Sequence, residues 1–404
     1  MWRGGSFALN RAELVLVYVM LLVVSALCTM GMTQQLLPAI TGVLYFASAE
    51  NKWPTTLFPL FPKRALVVDD GRGNEGFYEG GALDAIPYGA WLEPLCWWAI
   101  FLLALYMVMV ATAVILRRQW MERERLAYPL TQVGVAMVQG ESGGGLFNDL
   151  LKNKTLWWGV ALPLFYGSLK ALKQYDPSMP NIQLIWWIPF VGSQSVQVWI
   201  SFALIGFSYL ISTQVAAGIW IFYLLSKIET EFLAISGLKS TSKFVYGVAG
   251  QPLLAYQGGG ALIAMVLMGL WMARDHLRDV LRKALGRGEE VDDGDEIMSY
   301  RAAVCSLACG MVGMVGWLWL MGTKLWVAAL FVVVALLIFI GIARVVCEAG
   351  LAAVRSPMIA PDLIVQGIGS QWIGAGGIFN LSFAYIWSAD IRIFLMAMVA
   401  NGLK

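Results

Sequence analysis

The fold class that the sequence predicts is all-α: a polytopic α-helical transmembrane bundle of about nine spans plus two broken or re-entrant segments. Three observations predict it. Hydrophobic residues make up 59% of the 404-residue chain and charged residues 13%, against about 45–50% and about 25% in ordinary soluble domains. The apolar residues fall in repeated runs of roughly 20, the length at which one helix crosses a hydrocarbon layer with its backbone groups paired internally. Basic residues gather in short clusters beside those runs, which is the pattern of membrane topology and not of a nucleic-acid footprint. A net charge of +2 names no polyanionic partner. The partner implied is the lipid bilayer, and nucleic acid is excluded.

The elements follow in order along the chain. Ala12 to Met32 is the first spanning run, and Thr33 to Asn51 is apolar but interrupted by Pro38, Thr41 and Gly42, which suits a re-entrant or interfacial segment. Residues 51–88 form a Gly-, Pro- and carboxylate-rich connector whose Trp53, Phe77 and Tyr78 suit the headgroup layer. Glu93 to Leu116 spans again and ends on Arg117, Arg118 and the charged run MERER. Leu156 to Leu172 is the next span, and Leu184 to Val191 is an aromatic connector containing a proline. The stretch Val198 to Phe232 is too long for one span and divides around Ser212, Thr213 and Gln214. Pro252 to Met272 follows, then the most hydrophilic connector, residues 274–301, with its acidic run EEVDDGDE. Ala302 to Met321 and Leu325 to Ile342 make a helical hairpin. Ser356 to Gly377 is a second broken apolar segment, and Phe379 to Ala400 is the last span.

Orientation follows from the arginines. Arg117, Arg118, Arg123 and Arg125 load one connector, and Arg274, Arg278, Arg282, Lys283 and Arg287 load another, so both are expected in the cytoplasm. Residues 51–88 then lie on the outer side. The whole of 1–404 is read as a single transmembrane domain.

The runs NRAELVLVYVM, MTQQLLPAITGVLYFASAENKW, FYEGG, IPYGAWLEPL, ILRRQWMERERLAYPLTQ, IARVVCEAGLAAVRSP and IWSADIRIFLMA together resemble the bacterial membrane proteins grouped as domain-of-unknown-function 6785. Those proteins are placed in the oligopeptide transporter superfamily. The resemblance covers nearly the whole chain, and MERERLAYPL is its most specific piece. It implies a bacterial inner-membrane protein whose characterised superfamily relatives move peptides or metal chelates with protons. Members usually carry further spans before NRAEL and after NGLK, so the chain is expected to be the middle part of a longer protein, encoded by a gene with more spans on both sides.

Candidate site residues come from charge and polarity inside apolar runs, where an unpaired ionised group costs on the order of 3 kcal/mol or more. Arg344 and Glu348 are four apart on one helix face and are expected to pair, with Glu348 the first choice for a proton-accepting carboxylate. Asp390 and Arg392 are two apart and must each find another partner or a polar cavity. Gln34, Gln35, Tyr209, Gln214, Tyr256 and Gln257 are candidates to hydrogen-bond a solute, with interhelical hydrogen bonding the structural alternative. The two broken segments are expected to approach each other around a polar space.

No HExxH, GxSxG or P-loop occurs, and the chain has one histidine, His276, in a charged connector where it is expected to face water. Cys28, Cys96, Cys305, Cys309 and Cys347 are scattered, which argues against a disulfide framework or a metal site. ERER at Glu122 to Arg125 is expected to be a solvated helix end whose charges compensate one another. The sequence therefore points to a secondary transporter of a small-molecule solute, with no cofactor and no metal, working alone, as a homo-oligomer or in a larger membrane complex. A non-transporting subunit that scaffolds such a complex is the rival reading, and an enzyme is not expected.

Overall fold

The computed structural model of the protein describes residues 9–28, 32–60, 62–68, 74–80, 87–138, 152–180, 182–238, 240, 242, 244, 252–288, 290–351, 354–388 and 395–404. It is mostly helical. The helices are α1 (Arg11–Cys28), α2 (Met32–Tyr45), α3 (Tyr88–Arg118), α4 (Pro129–Val138), α5 (Lys154–Tyr175), α6 (Phe202–Ser208), α7 (Thr213–Ile235), α8 (Pro252–Met272) and α9 (Arg274–Ala284). They continue with α10 (Tyr300–Leu320), α11 (Leu325–Ala349), α12 (Ala360–Ile368), α13 (Ser370–Ile373), α14 (Ala375–Phe383), α15 (Tyr385–Ser388) and α16 (Leu395–Gly402). Among the described residues, four helical stretches are long and apolar enough to cross a membrane: Tyr88–Arg123, α8, α10 and α11. Residues cluster into two compact units, one of Met1–Leu21, Ala127–Thr241 and Val345–Ala352, the other of Leu22–Leu126, Ser242–Arg344 and Ala353–Lys404.

The first unit holds the one departure from helix among the described residues. Ile185–Val191 (β1) and Gln194–Trp199 (β2) pair antiparallel across a turn of Gly192 and Ser193. The run IWWIPFV is β-branched and aromatic, and a two-residue turn beginning at a positive-φ glycine matches strand twist. Gly192 has φ +52°, and any Cβ there would lie 2.0 Å from Glu231 Oε1 of α7. Ser193 Oγ donates to Glu231 Oε2 at 2.7 Å, so the turn is fixed on α7. In the same unit Tyr18 of α1 donates to Leu130 O of α4 at 3.0 Å, a contact allowed by Gly134, where a Cβ would meet the Tyr18 ring.

The second unit is built around α3 and α10, which pack along much of their length. The approach is close because Gly310 has no side chain: a Cβ there would stand 2.8 Å from Ala104 O and 2.7 Å from Val108 Cγ2. Small residues at such crossings are how helices gain contact without a hydrophobic driving force between them. The aromatic rings of Trp98, Phe101, Trp317 and Trp387 meet at centroid distances of 4.7–4.9 Å. Trp317 Nε1 donates to Trp97 O and Trp98 Nε1 to Ala65 O, each at 3.1 Å, so the indole N–H groups are satisfied inside apolar surroundings.

Several expectations change at this level. Residues 51–88 do not merely rest on a headgroup layer, because Ala65, Leu66 and Val67 are fully buried. Asn74, also buried, donates to Val67 O at 2.9 Å. The interrupted segment after the first span contains one continuous helix, α2, with Pro38 inside it, over 14 described residues. It meets α15. A cavity of about 30 Å³ there is lined by Met32, Leu102, Leu105, Met109, Ile386 and Trp387 among others and is apolar. The expected last span is interrupted by a turn at Ala384, between α14 and α15, and residues 389–394 lie outside the described residues.

The two arginine-rich connectors are in direct contact. Arg117 pairs with Glu296 at 3.2 Å and Arg118 donates to Asp292 O at 2.7 Å. The acidic run thus compensates the basic end of α3. His276 does not face water: it is 3% exposed, and its Nε2 donates to Ile115 O at 2.8 Å, the carbonyl being able only to accept. Burial pushes its pKa down from the ordinary value, and the guanidinium groups of Arg123 and Arg118 add to this, against the hydrogen bond to Ile115.

Candidate functional site

The solute-binding candidates singled out from sequence fall in both units. Gln34 is exposed on α2 and Gln35 half-buried beside it. Tyr209 is 90% exposed and Gln214 exposed at the start of α7. Tyr256 is half-buried and its hydroxyl lies 3.1 Å from Ser242 Oγ, while Gln257 is exposed on α8. Tyr209 and Gln214 belong to the first unit, and Gln34, Gln35, Tyr256 and Gln257 to the second. Asp390 and Arg392 lie outside the described residues.

The predicted Arg344–Glu348 pair is corrected. Arg344 Nη1 sits 2.7 Å from Glu124 Oε2, with side-chain exposures of 17% and 12%, whereas Glu348 is exposed one turn further along α11. Two features bring this about. The helix of α3 runs on through a π turn, Gln119–Arg123, and the extra residue re-aims Glu124 inward. On α8, Gly269 leaves room for the guanidinium, since a Cβ there would stand 2.9 Å from Arg344 Nη1. Gln119 Nε2 donates to Glu124 Oε1 at 3.1 Å, so both carboxylate oxygens are engaged. Beside the pair is a cavity of about 10 Å³ walled by Leu116, Trp120, Val266 and Ile340, room for about one water molecule. The charged run MERER is accordingly not wholly solvated: Glu122 pairs with Arg118 at 3.2 Å near the surface, while Glu124 turns inward.

A second charge lies in the second broken segment, at a residue not singled out from sequence. Ser356 to Gly377 folds as a string of short helices, α12, α13 and the start of α14. The breaks are at Gly369 (φ +88°, ψ 147°) and Gly374 (φ +84°, ψ 162°), backbone conformations open essentially to glycine alone. Asp362, in the first turn of α12, is 7% exposed. Tyr385 of α15 donates to its Oδ1 at 3.0 Å, and among the described residues nothing hydrogen-bonds its Oδ2. Nearby on the same tail, Asn380 donates to Met321 O, and Lys324 Nζ donates to Trp372 O at 2.8 Å. Asp362 is the sole charged residue between Ser356 and Gly377, which is the signal that would have found it.

Chemically the two charges differ. The Glu124–Arg344 pair is matched, with each charge neutralised by its neighbour. Among the described residues Asp362 has one neutral hydroxyl donor and an oxygen with no hydrogen-bond partner, and a buried carboxylate so placed is made neutral by taking up a proton or a cation. Among the described residues no three His, Cys, Asp or Glu side chains gather as metal ligands.

The apolar helices and their buried charges define a class, an α-helical protein with helices built to cross a membrane. The chain belongs to DUF6785, a family of unknown function whose model matches residues 1–404. No curated protein and no solved structure matches it.

Proposed function

We propose that this chain is a secondary transporter of the bacterial inner membrane that moves a small peptide-like or chelate-like solute with protons. The observation that carries the reading is Asp362: a buried carboxylate with one oxygen that has no hydrogen-bond partner among the described residues, on helices broken by Gly369 and Gly374. Non-helical backbone at membrane depth survives only inside protein or beside water, and transporters build their sites from such breaks. Asp362 therefore replaces Glu348 as the coupling group, because Glu348 is exposed and lacks the arginine that was to tune it. The solute class rests on the resemblance to the oligopeptide transporter superfamily, and nine crossings belong to the same proposal. Uptake of labelled peptides and metal chelates into proteoliposomes under an imposed pH gradient tests it. Gradient-driven uptake by the wild type and its loss in Asp362→Asn are expected; equal uptake by both removes Asp362 from the mechanism, and no uptake of any solute removes transport.

A second reading, a membrane subunit that scaffolds a larger complex, has one observation in its favour. Tyr209 and Gln214, expected to meet a solute, lie exposed on the surface of their unit. Co-purification of a stable partner complex from native membranes, together with absent uptake, is the result that favours it.

A further inference from the structure

The junction of α8 and α9 carries an open groove of about 590 Å³ lined by leucines, Trp271 and three arginines. Its construction follows from the helical period. Arg274, Arg278 and Arg282 recur every four residues and so share one face of α9; Leu277, Leu281 and Leu285 recur in the same way on the adjoining row. An amphipathic helix ordinarily turns its leucines to the core. Here the core contact is made instead by His276 and Val280, the latter packed with Val114, Ile115, Tyr300 and Ala303. Leu277 packs against that core, and the rest of the leucine row is left open, with Leu281 51% and Leu285 69% exposed.

The groove continues onto the outward face of the long apolar helix α8, where Leu267 and Trp271 are exposed. Arg274 marks the change from apolar to basic: its guanidinium lies 5.3 Å from the Trp271 ring centroid and its Nη1 donates to Trp271 O at 3.3 Å. Among the described residues none of the three arginines forms an ion pair, and no carboxylate lines the groove. Asp275 and Asp279 stand three residues before Arg278 and Arg282, about 60° around the helix axis, but among the described residues neither closes to ion-pair distance. An apolar channel along a membrane-crossing helix, opening onto three unpaired cations, has the two-part chemistry of one ligand class.

We infer that this groove is a binding site for an anionic phospholipid. The acyl chain lies along Leu267, Leu270 and Trp271 and the phosphate is held by Arg274, Arg278 and Arg282. Basic clusters next to a span attract anionic headgroups, and an open leucine row buries acyl carbons. A soluble anion would use the arginines and leave the apolar wall empty, so the occupant is the lipid and not free phosphate. The inference does not depend on whether the chain transports anything.

The test is a binding titration of the detergent-purified full chain with fluorescent phosphatidylglycerol and, separately, phosphatidylcholine. The expected result is at least tenfold tighter binding of phosphatidylglycerol. That preference falls to about twofold or less in Arg274→Gln/Arg278→Gln/Arg282→Gln, survives in Lys283→Gln, and resists competition by millimolar inorganic phosphate. Should the triple variant fail to purify as a folded protein, Arg278→Gln and Leu281→Glu are read in its place, each expected to cut the preference at least threefold. Equal affinity for the two lipids, an unchanged preference in the arginine variants, or displacement by inorganic phosphate alone overturns the inference.

Discussion

The helical hairpin of α10 and α11 and the broken tail from α12 to α16 are both apolar and both glycine-rich, yet one holds long helices and the other does not. Glycine count does not explain the difference. In α10, Gly310, Gly313 and Gly316 keep helical geometry; Gly310 is filled from outside by α3, and a Cβ at Gly313 would touch Ala104 at 3.4 Å. In the tail, Gly369 and Gly374 have positive φ and end one short helix as they begin the next. The first use of glycine brings two helices together, and the second breaks one. The two regions also treat charge differently. Arg344 on α11 has its counter-charge at 2.7 Å, while among the described residues Asp362 on α12 has a tyrosine hydroxyl and an oxygen with no hydrogen-bond partner.

The largest effect that can break this comparison is at the matched pair. Arg344→Met leaves Glu124 buried and uncompensated and is expected to lower stability by about 3 kcal/mol or more, read as a fall in thermal midpoint in detergent. Adding Glu124→Gln to it should restore most of the loss. Asp362→Asn, by contrast, removes a charge that has no ion-pair partner among the described residues and is expected to leave the midpoint unchanged or raised. If both single variants lose stability alike, the distinction between a structural and a functional charge fails.

Next in size are the glycines. Gly310→Leu drives a side chain into Ala104 O and Val108 and should cost about 1–3 kcal/mol or more. Gly369→Ala meets open space but must hold φ +88°, an expected loss of about 1–3 kcal/mol. At Gly316, where nothing lies within 4 Å, Ala should be neutral or stabilise by up to about 1 kcal/mol. Thermal midpoints of the three variants rank them, and a Gly316→Ala loss matching that of Gly310→Leu would refute the packing account.

The smallest effect is at the foot of the hairpin, where His276 of α9 packs edge-on to Tyr300 at 6.2 Å. Burial holds the folded pKa of His276 below its unfolded value of about 6.5. The folded state therefore binds fewer protons, and stability present above that pH is lost as pH falls through it. Acidification from pH 7.5 to 5.5 should lower the midpoint of the wild type more than that of His276→Gln. Equal pH dependence in the two proteins would place the titration elsewhere.

Much of the hairpin region was legible in the sequence, and of the tail the breaks within Ser356 to Gly377 were expected and found. Apolar run length sufficed for α8, expected and found at Pro252 to Met272, and placed α3, α10 and α11 to within a few residues at all but the far end of α11. Run length says nothing of where a backbone breaks, so Phe379 to Ala400 read as one span. The strand hairpin was missed although its signals were present, because Pro189 within IWWIPFV was taken for a connector's proline when the structure places it at a register irregularity between strands. Arg344 was found as a charge in an apolar run, but its partner was sought one turn away on the same helix. Glu124 is distant in sequence and reaches Arg344 only through a π turn and the space at Gly269, neither of which local spacing encodes. Asp362 escaped because an acidic residue after a proline in a first helical turn reads as a favourable helix start.

The central claim, that Asp362 couples protons to solute, is tested most directly by separating accumulation from exchange in the same proteoliposomes. Asp362→Asn is permanently neutral at that position, so it should still exchange solute across the membrane in counterflow while failing to accumulate it under an inward pH gradient. Accumulation by Asp362→Asn at the wild-type level, or loss of counterflow along with accumulation in a variant of unchanged thermal midpoint, would contradict the claim.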